Sequence, residues 1–289
     1  MRRGPRLARH STGAPSAVLE ALAFAQSLVG MKAETLRLLE EGLASDDLPA
    51  DARSRFEVRA AWVAAECGEL ARARELALST RERARRADDA AAELDALATI
   101  GYVAYEQDDL DAADAALHEA EALSRARLPA RVASVLNDRA VVAIDRGDHT
   151  LARALLDEAE RSSDNLSSGI WGNRALSYLL DGRPNDARPW LVRELQGAQR
   201  TGFGVSILIG LLGLAAVAAR DDPDRGAVLC GAVEALRARL AYRIPRLELR
   251  VITDTRDALA RRLGDRFYEL ASTGAELELD EAVALALAS

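Results

Sequence analysis

The sequence predicts an all-α fold built from antiparallel helix pairs repeated along the chain, and three observations carry that reading. The composition is 49% hydrophobic and 29% charged but only 4% aromatic, and it is rich in Ala, Leu, Arg and Glu, residues that lose little freedom in a helix. Turn-like residues recur at near-constant spacing: Gly30, Gly68, Asp108, Gly147, Gly182 and Asp222. Small residues flank every one of them at fixed offsets.

The offsets have a physical reason. Seven positions before each turn stand Ala23, Ala61, Gly101, Ala140, Ala175 and Ala215, and five positions after it stand Thr35, Ala73, Ala113, Ala152, Ala187 and Ala227. Two antiparallel helices joined by a tight turn approach closely only where both carry small side chains. The Gly or Asp between them takes the backbone conformation that ends the first helix. Leu39, Leu117, Leu156 and Leu191 follow one helical turn after the second small position, on the same face. They are expected to fill the gap to the neighbouring pair.

The segment Gly147-Asp148-His149-Thr150-Leu151-Ala152-Arg153-Ala154-Leu155-Leu156-Asp157-Glu158-Ala159 resembles the turn and second helix of a tetratricopeptide repeat. Gln107-Asp108-Asp109-Leu110-Asp111-Ala112-Ala113 and Gly68-Glu69-Leu70-Ala71-Arg72-Ala73 resemble the same segment. The spacing is longer than that family's usual repeat, and the bulky aromatic that opens its first helix is retained only as Trp171. The resemblance implies a right-handed α-solenoid, a superhelix of about six helix pairs over residues 15–241. A basic, disordered tail is expected over 1–14 and capping helices over 242–289.

The C-terminal order of segments is narrower in its likeness. Arg225-Gly226-Ala227-Val228-Leu229-Cys230-Gly231-Ala232-Val233-Glu234, then Leu263-Gly264-Asp265-Arg266-Phe267, then Gly274 to Leu287, resembles the end of bacterial signal-transduction ATPase regulators of the LuxR-type and antibiotic-regulator-like kind. That likeness implies a regulatory or sensor array standing without its nucleotide-binding and DNA-binding domains. It also implies a protein or peptide partner, among them an ATPase or DNA-binding regulator. A stand-alone small-ligand or peptide sensor of the helical-repeat class is the alternative.

Several chemistries find no footing. There is no Gly-x-x-x-x-Gly-Lys-Ser/Thr loop, and Lys32, the one lysine, has the wrong context for a phosphate. Leu36 to Leu43 superficially resembles the start of a helix-turn-helix, but an acidic stretch follows it in place of a recognition helix. With 46 acidic against 38 basic residues and a net charge of −8, the chain repels phosphate backbones, so direct nucleic-acid binding is not expected. His10, His118 and His149 share no metal-ligand spacing with one another or with Cys67 and Cys230. Acidic runs such as Asp108-Asp109-Leu110-Asp111, and Asp280-Glu281 near the end, are explained by helix capping and the helix dipole. The two cysteines are expected to be reduced, in a cytoplasmic protein. The uncharged run Thr201–Ala219 is expected to be a buried helix and not a membrane span. No catalytic residue, cofactor or metal is assigned; the expectation is a non-enzymatic module.

If the first helices of such an array line its concave face, distance from each turn places Arg55, Arg59, Trp62, Tyr102, Tyr105, Asn137, Asp138 and Asn173 there. Arginine, aromatic and asparagine side chains suit an extended peptide or a chain-terminal carboxylate.

Overall fold

The computed structural model describes residues 32–44, 48, 50–162, 168–201, 204–240 and 244–288. The expected basic tail and the first predicted turn, at Gly30, lie outside them. The described residues form fourteen α-helices, one short 3-10 turn at Pro129–Arg131 and no strand. The helices are α1 (Lys32–Leu43), α2 (Ala50–Glu66), α3 (Leu70–Arg86), α4 (Ala90–Glu106), α5 (Leu110–Arg127), α6 (Val132–Asp145) and α7 (His149–Arg161). They continue with α8 (Ser168–Leu180), α9 (Pro184–Thr201), α10 (Gly204–Asp221), α11 (Pro223–Leu240), α12 (Arg246–Leu263), α13 (Asp265–Ala275) and α14 (Leu279–Leu287).

The repeat register reads directly onto these helices. Each described turn joins a first helix to a second: α2 to α3, α4 to α5, α6 to α7, α8 to α9 and α10 to α11. Gly68, Gly147 and Gly182 have φ of 83°, 81° and 72°, and Asp108 adopts 66°. That left-handed conformation costs glycine nothing, and aspartate tolerates it better than most residues. Asp222 works differently. Its side chain accepts a hydrogen bond from the Arg225 amide at 3.1 Å, so it caps the start of α11. Asp109 and Asp148 cap α5 and α7 in the same way, from Ala112 N (3.0 Å) and Leu151 N (2.9 Å). The small residues flanking the turns are buried, from Ala61 and Ala73 to Ala215 and Ala227, as are Leu39, Leu117, Leu156 and Leu191.

The chain divides into two compact units, 1–103 and 104–289. In the first, α1 packs on α2 and α2 on α3. Its core joins Leu36, Leu39, Phe56, Ala60, Val63, Ala64, Ala65, Ala73 and Val103. Lys32 Nζ donates to Glu66 Oε1 at 2.9 Å, tying the start of α1 to the end of α2. The Cys67 thiol beside this bond is half-buried and free.

In the second unit the first helices lie side by side, α6 against α8 and α8 against α10, each packed on its own second helix. The core is larger and leucine-rich, with Leu136, Ile144, Leu156, Ile170, Leu191, Leu195, Leu208 and Leu211 among its fully buried side chains. Arginines bridge successive pairs on the outside: Arg125 to Glu158 (2.6 Å), Arg153 to Asp181 (2.9 Å) and Arg193 to Glu160 (3.1 Å).

The last three helices are built into this core. α13 crosses α11 so closely that a Cβ on Gly231 would lie 1.8 Å from the Ala271 carbonyl oxygen, and one on Gly274 1.8 Å from that of Val228. α12 packs on α8, α10 and α11, with Leu247, Val251, Ile252 and Leu259 buried. No helix of the described residues is long and apolar enough to cross a membrane.

Candidate functional site

The residues predicted to line a partner-binding face fall into both units. In the first, Arg55, Arg59 and Trp62 recur at helical spacing on α2. Trp62 is 40% exposed, and its ring lies 5.1 Å from that of Tyr102 on α4, tilted by 34°. The pair presents an aromatic surface at the end of the two first helices, with Arg55 exposed on the same helix.

In the second unit, Asn173 Nδ2 on α8 donates to Asn137 Oδ1 on α6 at 2.9 Å. One repeat separates these residues in sequence, so the bond joins equivalent places on adjacent first helices. A primary amide offers two donor hydrogens and two acceptor lone pairs, and this bond uses one donor of Asn173 and one lone pair of Asn137. Asn137 is also hydrogen-bonded to the neighbouring Asp138 carboxyl, so the three side chains form one polar row across the two first helices. Asp138, next along α6, is half-buried. Burial pushes its carboxyl up to about 7, against the opposing effects of the Asn137 hydrogen bond and of Arg131.

Tyr105 departs from the expectation. It is buried, not groove-lining, because the first turn of α12 covers it. The Arg246 guanidinium lies 5.5 Å from its ring centroid and donates to the Tyr105 carbonyl at 3.3 Å. The phenol is pushed up, first by burial and then by the Asp145 and Glu248 carboxylates. Arg246 also pairs with Asp108 and, through Nε, with Asp145 Oδ2 at 3.0 Å; Arg250 reaches Asp145 Oδ1 at 3.2 Å. These four residues escaped sequence reasoning. The signal available was Arg246 and Arg250, two cations one helical turn apart, with no indication of which carboxylates they would meet.

Arg59 and Asn173, both expected on the partner-binding face, belong to separate units. His118 is held locally: Nδ1 lies 3.1 Å from the Asp114 carbonyl and Arg139 Nη2 lies 2.7 Å from Nε2, so the proton belongs on Nδ1. The acidic run after α4 supplies a cap and ion pairs. Burial pushes the Cys230 thiol up to about 12, which makes it a small apolar core residue. Among the described residues no group of His, Cys, Asp and Glu could hold a metal ion.

No family model matches the chain, and no curated protein matches it in sequence. Its fold is that of an all-α helical-repeat protein. It is similar to the solved structure of the Rap conjugation gene regulator of the plasmid pLS20 in complex with the Phr* peptide, with a TM-score of 0.59 over 85% of this chain and 73% of that one. The two are 12% identical, so the likeness is one of fold.

Proposed function

We propose that this chain is a non-enzymatic regulatory module that binds a peptide, or an extended segment of a protein partner, along the first helices of its repeats. The observation that carries the reading is the Asn137–Asn173 amide pair on adjacent first helices, with the half-buried Asp138 beside it. Side-chain amides at repeat spacing match the alternating donors and acceptors of an extended backbone, a general mode of peptide capture. The fold neighbour, solved with a peptide bound, supports the same reading by analogy of fold.

The finer proposal is that the chain serves as the sensor part of an ATPase-type transcription regulator, acting on an ATPase or DNA-binding partner. It rests on the resemblance of residues 225–287. A stand-alone peptide sensor is the second reading, favoured by the fold neighbour, which is itself a gene regulator.

The test is a random peptide library panned on the purified chain, with binders compared on the double variant Asn137→Ala, Asn173→Ala. Loss of about tenfold or more in affinity is expected from removing two amides that face the ligand. Binders that ignore the double variant would sink the site. A pull-down from native lysate then separates the two finer readings: an ATPase or DNA-binding regulator recovered with the chain supports the first.

A further inference from the structure

We propose that a cleft formed by α9, α10 and α11 is a binding site for a carboxylate ligand, received between Arg188 and Arg225. The cleft has a volume of about 450 Å³ and is lined from the start of α9, the end of α10 and the start of α11. Both arginines stand near the start of a second helix, and both converge on one atom. Arg188 Nη2 and Arg225 Nη1 each donate to the carbonyl oxygen of Ala288, just past α14, at 2.9 Å. The Asn137–Asn173 row lies on first helices, so this site is separate from the one proposed above.

Three features leave this pair of cations incompletely matched. A carbonyl fixes two guanidinium groups in place without neutralising either, and like charges held together repel. Arg188 forms no ion pair among the described residues. Arg225 Nε is buried without a hydrogen-bond acceptor. The nearest carboxylate oxygen given to it, Asp222 Oδ2, lies 3.6 Å away, and that side chain already caps α11 through the Arg225 amide at 3.1 Å. A buried donor left without an acceptor is costly, and a ligand that supplies one recovers that cost.

A carboxylate fits what is missing. A guanidinium presents several N–H donors in one plane, and the bonds to Ala288 use one from each arginine. The two oxygens of a carboxylate can each take a further donor, as charge-assisted bonds. Val217 and Ala218, both buried, give the cleft an apolar wall for the ligand's carbon atoms. Asn185 adds a side-chain amide that can donate or accept. Asp221 and Asp222 line the same cleft. Their charge admits a monoanion beside two arginines and disfavours a phosphate dianion.

Titration of the full chain with N-acetyl-alanine and with N-acetyl-alanine amide, followed by nuclear magnetic resonance, tests this. The two probes are alike in shape and differ in charge. The acid should bind about tenfold more tightly than the amide, weaken as salt is raised, and bind more tightly than inorganic phosphate. Arg188→Gln keeps a donor for the Ala288 carbonyl but removes the charge. It should leave the unfolding temperature unchanged while affinity for the acid falls about tenfold. Asp221→Asn should tighten the acid. Tri-alanine with a free carboxylate identifies the source of the group: binding tighter than the single residue marks a peptide end, and equal binding marks a small acid. Equal binding of acid and amide, no binding of the acid, or tighter binding of phosphate to the parent chain would overturn the proposal, as would full affinity in Arg188→Gln.

Discussion

The first helices of the two units present different chemistry. Those of the first unit carry Arg55, Arg59, Trp62 and Tyr102, cations and exposed rings; those of the second carry Asn137, Asp138 and Asn173, amides and a carboxyl. The cores differ in parallel. Among the described residues the first unit sets Phe56, Leu36, Leu39, Val63 and Val103 among alanines, with Leu94 and Leu97 also buried, while the second stacks leucine and isoleucine through six helices and gains three more from its C-terminal segment. Alanine contacts bury little area, roughly a third of what leucine buries on the usual scale of 25 cal/mol per Å². The same repeat pattern therefore gives a thinly held unit and a thickly held one, because the pattern specifies close approach and leaves the filling side chains open.

The comparison is broken most forcefully at Phe56. Its ring is fully buried and fills the space opposite Gly42, so Phe56→Ala should cost about 3–5 kcal/mol. In thermal unfolding followed by circular dichroism, this loss should fall on an early transition and leave a later one in place. A single transition shifted as a whole would show that the two cores are not separable in stability.

The second unit is best challenged where its helices cross. Gly274→Ala drives a methyl into the Val228 carbonyl, which belongs to backbone and cannot swing away. A loss of about 1–3 kcal/mol is expected, confined to the later transition, and urea unfolding would measure it.

Protons sharpen the contrast. Asp138 and Glu248, both in the second unit, are pushed up to about 7 from ordinary values near 4. The native state then binds more protons than the unfolded chain between those limits, so stability falls as pH rises from about 4 to about 7 and stays low above. Each of the two groups should add about 2 kcal/mol to the later transition on going from pH 7.5 to 5.5, and Asp138→Asn with Glu248→Gln should remove most of that gain. The early transition should respond less.

The smallest effects come from caps. Asp89 accepts from Ala92 N (3.0 Å) in the first unit and Asp148 from Leu151 N (2.9 Å) in the second. Each Asp→Ala variant should lose about 1 kcal/mol. Equal losses assigned to different transitions would confirm that local capping is the same in both units and that the difference lies in the cores.

Most of the fold was legible because it rests on residues whose constraint is local. A glycine at Gly68, Gly147 or Gly182 and an alanine on either side state a turn and a crossing within a dozen residues. Asp222 was read correctly as a turn and wrongly as the same kind of turn, since aspartate both tolerates left-handed backbone and caps helices. The site was legible in part. Asn137 and Asn173 could be aligned by repeat spacing, and the structure joins them. Tyr105 could not be placed, because what covers it is Arg246, 141 residues further along. No periodicity reports a contact between a repeat and a segment that follows the repeats.

The pairing of Lys32 with Glu66 has a practical side. Every other basic side chain is arginine, so amine-directed reagents meet one side chain in the whole sequence. That amine is engaged at the junction of α1 and α2, and its rate of acylation measures how often this junction opens. The first unit thus carries its own side-chain reporter, read apart from the N-terminal α-amine, with no engineered residue required.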